Sequence, residues 1–541
     1  MRWHSLVNLA TFLGTTQALN CSRDAIQAAL PSGASVNFAR PLADNSTFEV
    51  PEGDTGYPTN PVALPALCAV SVQVQSVGNS TFGFGLFLPE DWNGRFLAVG
   101  NGGFAGGINW LDMRPGSKYG FATMSTDTGH NSSSSDGTWA YNRPDVRENW
   151  GHLAMHGSVV VAKTLTKAFY AKDISYNYYA GCSTGGRQGL KEAEFYPEDF
   201  DGIMAGAPAW WTTHLQPWTI KVALYNLPTS ADYHIPPALF PAIAQEVRKQ
   251  CDPQDGLVDN IVSDPVGCNF RIEELLCGAN VTNATSAGCL TSPQLSTLQN
   301  VYSDFVGENQ TFFFPHLWLS SEPQWILFAG EAPNPLGTDY VRYFLDFGAD
   351  WSFYDFNEDI QRLADRVNPG NASVGFDLSA FHNKGGKILA YHGMSDGLIP
   401  TGVLPYYYNH VDRTLKPKGI ELDNFFRSFL VPGMGHCGGT FPGVDAPWYF
   451  AGANQAQDLA PTTWGVPGFE NDKDYDAMLA LMEWVEEGVA PEKIIATKYV
   501  DETAPGEVLR QRPLCIYPKQ AKYTGEGDVD DASSWECASL Y

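Results

Sequence analysis

Outside residues 6–14 the sequence has no apolar run approaching the roughly 20 residues that cross a bilayer, so no membrane span is expected in the folded chain. Positive charge is scarce. Lys and Arg total 33 against 60 Asp and Glu, a net charge of -27, and a surface of that sign repels nucleic acid and anionic lipid alike. Charge of either sign is modest: 17% of residues are charged and 44% hydrophobic, which excludes a mostly disordered chain and suits a packed one. The phosphate-loop pattern G-x-x-x-x-G-K-S/T is missing. So is H-E-x-x-H, because His152 is followed by Leu153. His152 and His156 stand four apart, the spacing of two zinc ligands on a helix, but without that glutamate they are read as packing or hydrogen-bonding residues.

What is there begins with length. A chain of 541 residues can bury a large core, either as two or three domains or as one enlarged domain carrying insertions. Its start reads as an export signal: basic at Arg2, apolar over residues 6–14, small at Thr16-Gln17-Ala18. Residues 1–18 are therefore expected to be removed, and the protein to be secreted into the extracellular medium. Eight N-x-S/T sequons, at Asn20, Asn45, Asn79, Asn131, Asn280, Asn283, Asn309 and Asn371, suggest a glycosylated surface. Ten cysteines in an exported chain most simply form five disulfides. Closeness in sequence pairs Cys21 with Cys68, Cys251 with Cys268, Cys277 with Cys289, and Cys515 with Cys537. Cys182 and Cys437 remain.

Alternating stretches at residues 68–74 and 82–88 read as antiparallel strands, the second ended by Pro89. Buried-type strands follow at residues 95–99, 120–125, 174–179 and 200–207, with helical spacing at 150–170 and 185–196. Between residues 209 and 383 the texture changes to Trp, Phe and Pro with two short cysteine loops, and strand character returns at 387–391 and 429–431. The reading is an α/β core in two parts, residues 19–208 and 384–541, interrupted by an inserted lid domain at residues 209–383. An amphipathic helix is expected over residues 474–487, with Met478, Leu479, Leu481, Met482 and Val485 inward. The tail from Pro513 is expected to be polar and irregular, held by the Cys515–Cys537 bond.

Gly181-Cys182-Ser183-Thr184-Gly185 fits G-x-S-x-G, the strand-to-helix turn that holds a serine hydroxyl exposed in a strained position. A side chain in place of either glycine would collide with the neighbouring strand or helix. A serine needs a base to take its proton and an acid to orient that base. In an α/β-hydrolase the order is serine, acid, histidine, each on a loop after a core strand. Asp396 and His436 meet both conditions. Of the competitors, Asp377 precedes its strand, His130 precedes the serine, and His392 precedes the acid. The oxyanion hole would use the backbone N–H of Thr184 and one from the glycine loop after residue 99, at Gly102 or Gly103. If Ser183 and His436 meet, Cys182 and Cys437 meet too, and their bond would clamp nucleophile loop to base loop.

Cys182-Ser183, Asp396 and His436-Cys437 resemble the CS-D-HC motif of the fungal tannase and feruloyl esterase family, with type B feruloyl esterases the nearest likeness. The resemblance extends over nearly the whole mature chain, through the glycine loop, residues 125–130 and residues 180–189. It implies an α/β-hydrolase fold, no organic cofactor, and hydrolysis of phenolic-acid esters through an acyl-enzyme. It also bears on Cys251-Asp252-Pro253-Gln254-Asp255-Gly256-Leu257-Val258-Asp259-Asn260-Ile261. Spacing alone leaves this acidic turn open between a plain disulfide-closed loop and a calcium site. An EF-hand it is not, since Ser263 stands at the twelfth position. The family resembled has a calcium loop of this form, which implies a structural Ca2+ held by side chains of Asp252, Asp255 and Asp259 and carbonyls of Leu257 and Ile261. Tannases of the family are often cut at a dibasic Lys-Arg site in the lid, and no such pair occurs here. The expectation is thus a feruloyl esterase acting on plant cell-wall polysaccharide. The alternatives are a tannase acting on galloyl esters, a serine peptidase, and a binding protein on an inactive hydrolase scaffold.

Overall fold

A mixed sheet of nine strands organises this computed structural model, which describes residues 18–539. Seven of its strands come first in the chain: β1 (Ala34–Leu42), β2 (Leu67–Gln75), β3 (Thr81–Pro89), β4 (Arg95–Val99), β5 (Ala122–Thr126), β6 (Tyr176–Cys182) and β7 (Gly202–Gly206). A two-stranded pair, β8 (Phe305–Val306) and β9 (Phe312–Phe314), lies outside the sheet, and β10 (Lys387–Gly393) and β11 (Phe426–Val431) complete it. The spatial order is β1-β2-β3-β5-β4-β6-β7-β10-β11. Neighbours from β1 to β5 are antiparallel, and from β5 to β11 all are parallel. The antiparallel start, the exchange of β4 and β5, and the parallel run beyond form the α/β-hydrolase core.

The period of two explains why these segments are strands buried on both faces. Phe96, Ala98, Tyr179, Ile203 and Ile388 point to one face, where they join Met155, Val159 and Leu165 of the helix Ala154–Tyr170 and Leu190 of the helix Thr184–Phe195. Leu97, Val99, Tyr178, Met204 and Leu389, one residue out of step, point to the other face. There they meet Trp110 and Met113 and the helix Ala477–Glu487. That last helix starts two or three residues later than expected because the Asp476 carboxylate caps it, accepting from the N–H groups of Met478 and Leu479. It buries Ala477, Met478, Ala480, Leu481 and Trp484, while Leu479, Met482 and Val485 are only partly covered.

Between β7 and β10 the chain leaves the sheet. The helices Thr212–Asn226 and Phe240–Cys251 and the β8–β9 pair make up much of this excursion. Its buried Trp218, Phe240, Phe314 and Trp325 belong to the same apolar cluster as the sheet face that carries Ile203 and Ile388. The inserted segment therefore shares the main core. It is also stitched back near its end, where Lys191 Nζ donates to Ser373 O at 2.6 Å, and its end is tied to its own start by the Val374 N–H, which donates to Trp210 O at 2.9 Å.

The tail departs from expectation. β12 (Lys493–Tyr499) pairs antiparallel with β13 (Val508–Cys515), and β14 (Gln520–Tyr523) with β15 (Trp535–Ala538). Trp535 supplies the reason: it is 7% exposed with the Arg512 guanidinium 4.1 Å over its ring, an anchor that few apolar neighbours in sequence announce. All five expected disulfides form: Cys21–Cys68, Cys182–Cys437, Cys251–Cys268, Cys277–Cys289 and Cys515–Cys537. The export segment expected at residues 1–18 falls outside the described residues except for Ala18. Among the described residues no helix is long and apolar enough to cross a membrane.

Candidate active site

Ser183 sits between the end of β6 and the start of the helix Thr184–Phe195 with φ 62° and ψ -124°. A non-glycine residue in such a backbone position costs about 1–3 kcal/mol, so the surroundings must enforce it. They do. The Ser183 N–H donates to Gly206 O and its carbonyl accepts from Ala209 N–H, both at 3.0 Å. Glycine makes the close approach possible, though unequally. A Cβ on Gly181 would lie 2.7 Å from the Gly185 backbone, and one on Gly186 would lie 2.4 Å from Gly206 O. A Cβ on Gly185 would meet nothing nearer than 3.2 Å. The two steric demands in this turn thus fall on Gly181 and Gly186.

Asp396 follows β10 and His436 follows β11. The His436 Nδ1–H donates to Asp396 Oδ2 at 2.7 Å, with Asp396 fully buried and the imidazole 13% exposed. Burial would raise the Asp396 pKa, but the charge of His436 and hydrogen bonds from His392 and His436 outweigh it and hold the carboxyl well below the ordinary range. Its other oxygen accepts from the N–H groups of Leu398 and Ile399 at 2.8 and 2.9 Å. Nδ1 being committed to the acid, Nε2 is the nitrogen left for a hydroxyl. Ser183 Oγ itself makes no hydrogen bond to His436, a contact that in serine hydrolases often tightens only with substrate.

The competing residues are otherwise engaged. Asp377 is on the surface, paired with Lys418 at 2.6 Å. His130 stacks on Trp139 at 3.7 Å and bonds Phe104 O, and burial lowers its pKa to about 4. His392 contributes in a way its position before the acid does not suggest. Wholly buried, it places Nε2 3.0 Å from both Asp396 Oδ2 and Ile399 O, so the acid carries two imidazoles.

The glycine loop after β4 reaches the serine through side chains that motif reading passes over. Asn101 and Gln188 bond reciprocally: the Asn101 N–H donates to Gln188 Oε1 at 2.9 Å, and Gln188 Nε2 to Asn101 Oδ1 at 3.1 Å. Thr184 Oγ1 donates to Gly103 O at 3.0 Å. The Gly102 N–H is consumed by the Tyr57 hydroxyl at 2.7 Å, whereas the N–H groups of Gly103 and Thr184 donate to no protein acceptor. Of the two glycines considered for the oxyanion hole, only Gly103 keeps its donor free. A polar chain also lies beneath the serine: the Cys182 N–H donates to Asn454 Oδ1 at 3.1 Å, and Asn454 in turn donates to Asp112.

The Cys182–Cys437 bond, with Cα atoms 5.9 Å apart, ties the end of β6 to the loop after β11. Those strands stand three positions apart in the sheet, about 14 Å at the usual spacing. The base loop must therefore fold back over the ends of β7 and β10, and the disulfide holds it there.

Farther out, Asp252 accepts from the N–H groups of Asp259 and Asn260 at 3.1 and 3.0 Å, and Asp259 also pairs with Arg512. Burial raises the pKa of Asp252 and of Asp255, and the Asp259 charge adds to both. The carbonyls of Leu257 and Ile261 accept no hydrogen bond. Carboxylates and free carbonyls are the hard oxygen donors that calcium takes, so the donor set fits in kind, although the carboxylate oxygens of Asp252, Asp255 and Asp259 do not all lie within 4.8 Å of one another and Asp259 is already paired with Arg512. His152 and His156 do not face a common ligand: His152 bonds Tyr196 and Glu148, and His156 bonds Asp199. Among the described residues, His156, Glu192 and Asp199 are the one acidic or histidine group with ligand atoms within 4.8 Å of one another. All eight sequon asparagines are exposed, but the Asn131 amide is already engaged with Thr55 and Gly53.

A family model described as "Tannase and feruloyl esterase" matches residues 68–314 and 345–538. The chain is 34% identical to a probable feruloyl esterase B-1 of Aspergillus flavus, over 98% of this chain and 99% of that one. Its structure is similar to the crystal structure of feruloyl esterase B from Aspergillus oryzae, with a TM-score of 0.85 and 33% identity over 95% of this chain and 100% of that one. A tannin acyl hydrolase from Aspergillus niger has the same fold, with a TM-score of 0.72 and 21% identity over 96% of each chain.

Proposed function

Since the chain belongs to the tannase and feruloyl esterase family and is a carboxylic ester hydrolase, we propose that it releases ferulic, p-coumaric and related acids from esters of plant cell-wall polysaccharide. The observation that carries this reading is the Asp396–His436 pair held beside the strained Ser183 by the Cys182–Cys437 bond. Ser183 Oγ attacks the ester carbonyl carbon while its proton passes to His436 Nε2, and Asp396 stabilises the imidazolium that results. The carbonyl oxygen becomes an oxyanion facing the N–H groups of Thr184 and Gly103, at the start of a helix whose dipole favours negative charge. Collapse breaks the bond to the leaving alcohol, which takes the proton from His436. Water then enters by the reverse sequence: His436 removes its proton, hydroxide adds to the acyl carbon, and the acid leaves Ser183 with its hydroxyl restored.

The same proposal covers the setting. Five disulfides suit an oxidising, extracellular location, and the exposed sequons, Asn131 least among them, are open to glycosylation. Asp252, Asp255 and Asp259 with the carbonyls of Leu257 and Ile261 would hold Ca2+, whose charge would draw those carboxylates together and stiffen the loop. The deciding experiment compares kcat/KM on methyl ferulate, methyl caffeate and methyl gallate. Preference for the two cinnamates is expected, and preference for gallate would transfer the chain to the tannases. Ser183→Ala should lose at least about 10³-fold in kcat, and activity persisting in it would remove the mechanism.

A further inference from the structure

One turn of the inserted segment bonds the residues on either side of the candidate acid. Residues 320–325 run beneath the loop that carries Asp396, and two of their side chains bond the residues flanking it. Ser320 Oγ lies 2.7 Å from Ser395 Oγ, and Gln324 Oε1 accepts from the Gly397 N–H at 2.9 Å. The fit is close: a Cβ on Gly397 would lie 2.7 Å from both Gln324 Cβ and Ser321 O. The other end of the same carboxamide reaches the base loop, since a Cβ on Gly435, the residue before His436, would lie 3.2 Å from Gln324 Nε2. One side chain thus spans the acid and base loops.

The turn is itself made rigid from behind. Ser320 has φ 78°, a position a serine holds only when constrained, and the constraint is Glu322, whose Oε1 accepts from the Ser320 N–H at 2.9 Å and from the Tyr302 hydroxyl at 2.7 Å. Trp325, 1% exposed, packs edge-on to Phe240 and Tyr302 in the apolar interior of the insertion. No such bracing is needed to cover a pocket. It is the construction that keeps a hydrogen-bond partner in place.

We infer that Gln324, assisted by Ser320, is a positioning residue for the Asp396–His436 pair, so that the inserted segment completes the acid–base geometry as well as covering it. The inference rests on the reading of Ser183, His436 and Asp396 as the reacting set. It is tested on the full-length protein with methyl ferulate and with p-nitrophenyl acetate, an ester with no cinnamoyl ring. Gln324→Ala and Gln324→Met should lower kcat about tenfold on both esters with KM little changed, as expected of a slight misplacement of catalytic groups. Gln324→Glu, which keeps an oxygen facing the Gly397 N–H, should recover most of the loss, and Ser320→Ala should show a smaller fall in kcat. Unchanged kcat in Gln324→Ala, a change confined to KM for methyl ferulate, or no recovery in Gln324→Glu would each overturn the inference. Should Gln324→Ala fail to fold, Gln324→Met and Ser320→Ala decide the matter by the same readout. Loss of p-nitrophenyl acetate turnover in Ser183→Ala tests the reacting set separately, whichever way Gln324 behaves.

Discussion

At Ser183 a backbone strain and a steric allowance are two sides of one requirement. The serine is held at φ 62° because the helix start lies close to the ends of both β6 and β7, and it can do so because Gly181 and Gly186 have no Cβ. This separates two glycines that the G-x-S-x-G pattern treats alike. Gly181→Ala should cost about 2 kcal/mol or more in unfolding free energy and most of the activity, since backbone atoms must move. Gly185→Ala, whose nearest neighbour is 3.2 Å away, should cost clearly less. Denaturant melts with kcat on the two variants check this, and equal losses would contradict it. The turn at Ser183, the pairing of Asp396 with His436 and the Cys182–Cys437 bond were legible because chain order and spacing constrain them. Gln188, Asn101, Tyr57, Asn454 and Gln324 were not, because they act through hydrogen bonds to partners far away in sequence, and His392 was not because its bonds to Asp396 and Ile399, though local, belong to no motif.

Among elements, the strands were the most readable part of the fold, since burial on both faces leaves near-continuous apolar runs. The tail strands β14 and β15 escaped for the opposite reason. They are short and polar and owe their pairing to one tryptophan and one disulfide. The insertion was visible as a change of texture, but its fusion with the main core was not, because an apolar residue does not say which neighbour it will pack against. The acidic loop at residues 252–261 yields a prediction at this scale. If it takes calcium, adding Ca2+ to chelator-treated protein should raise Tm by several degrees, and Asp255→Asn should abolish that rise with little effect on kcat. A calorimetric scan in EGTA and in excess Ca2+ reads both, and identical Tm values would remove the site.

For the molecule as a whole, excess negative charge is accompanied by buried carboxyls. Burial pushes Asp127 and Glu322 up to about 7 and Asp112, Asp458 and Asp476 up to about 6. In the unfolded chain the same groups release their protons near 3.8 for Asp and 4.5 for Glu. The folded state therefore binds more protons between those limits, and the stability these groups contribute is complete below about pH 4 and lost as pH rises through 6 to 7. Tm should be higher at pH 5 than at pH 7.5, and the reverse order would contradict the assignment.

The bond between Cys182 and Cys437 closes a covalent ring that contains every residue of the insertion. Cutting a ring once opens it without dividing it. A protease that nicks an exposed loop anywhere between residues 183 and 436 therefore leaves a two-chain molecule whose halves cannot part. Trypsin-nicked protein should run as one species on a denaturing gel without reductant and as two with it. If the core stays folded, the nicked form should also keep its esterase activity until that disulfide is reduced.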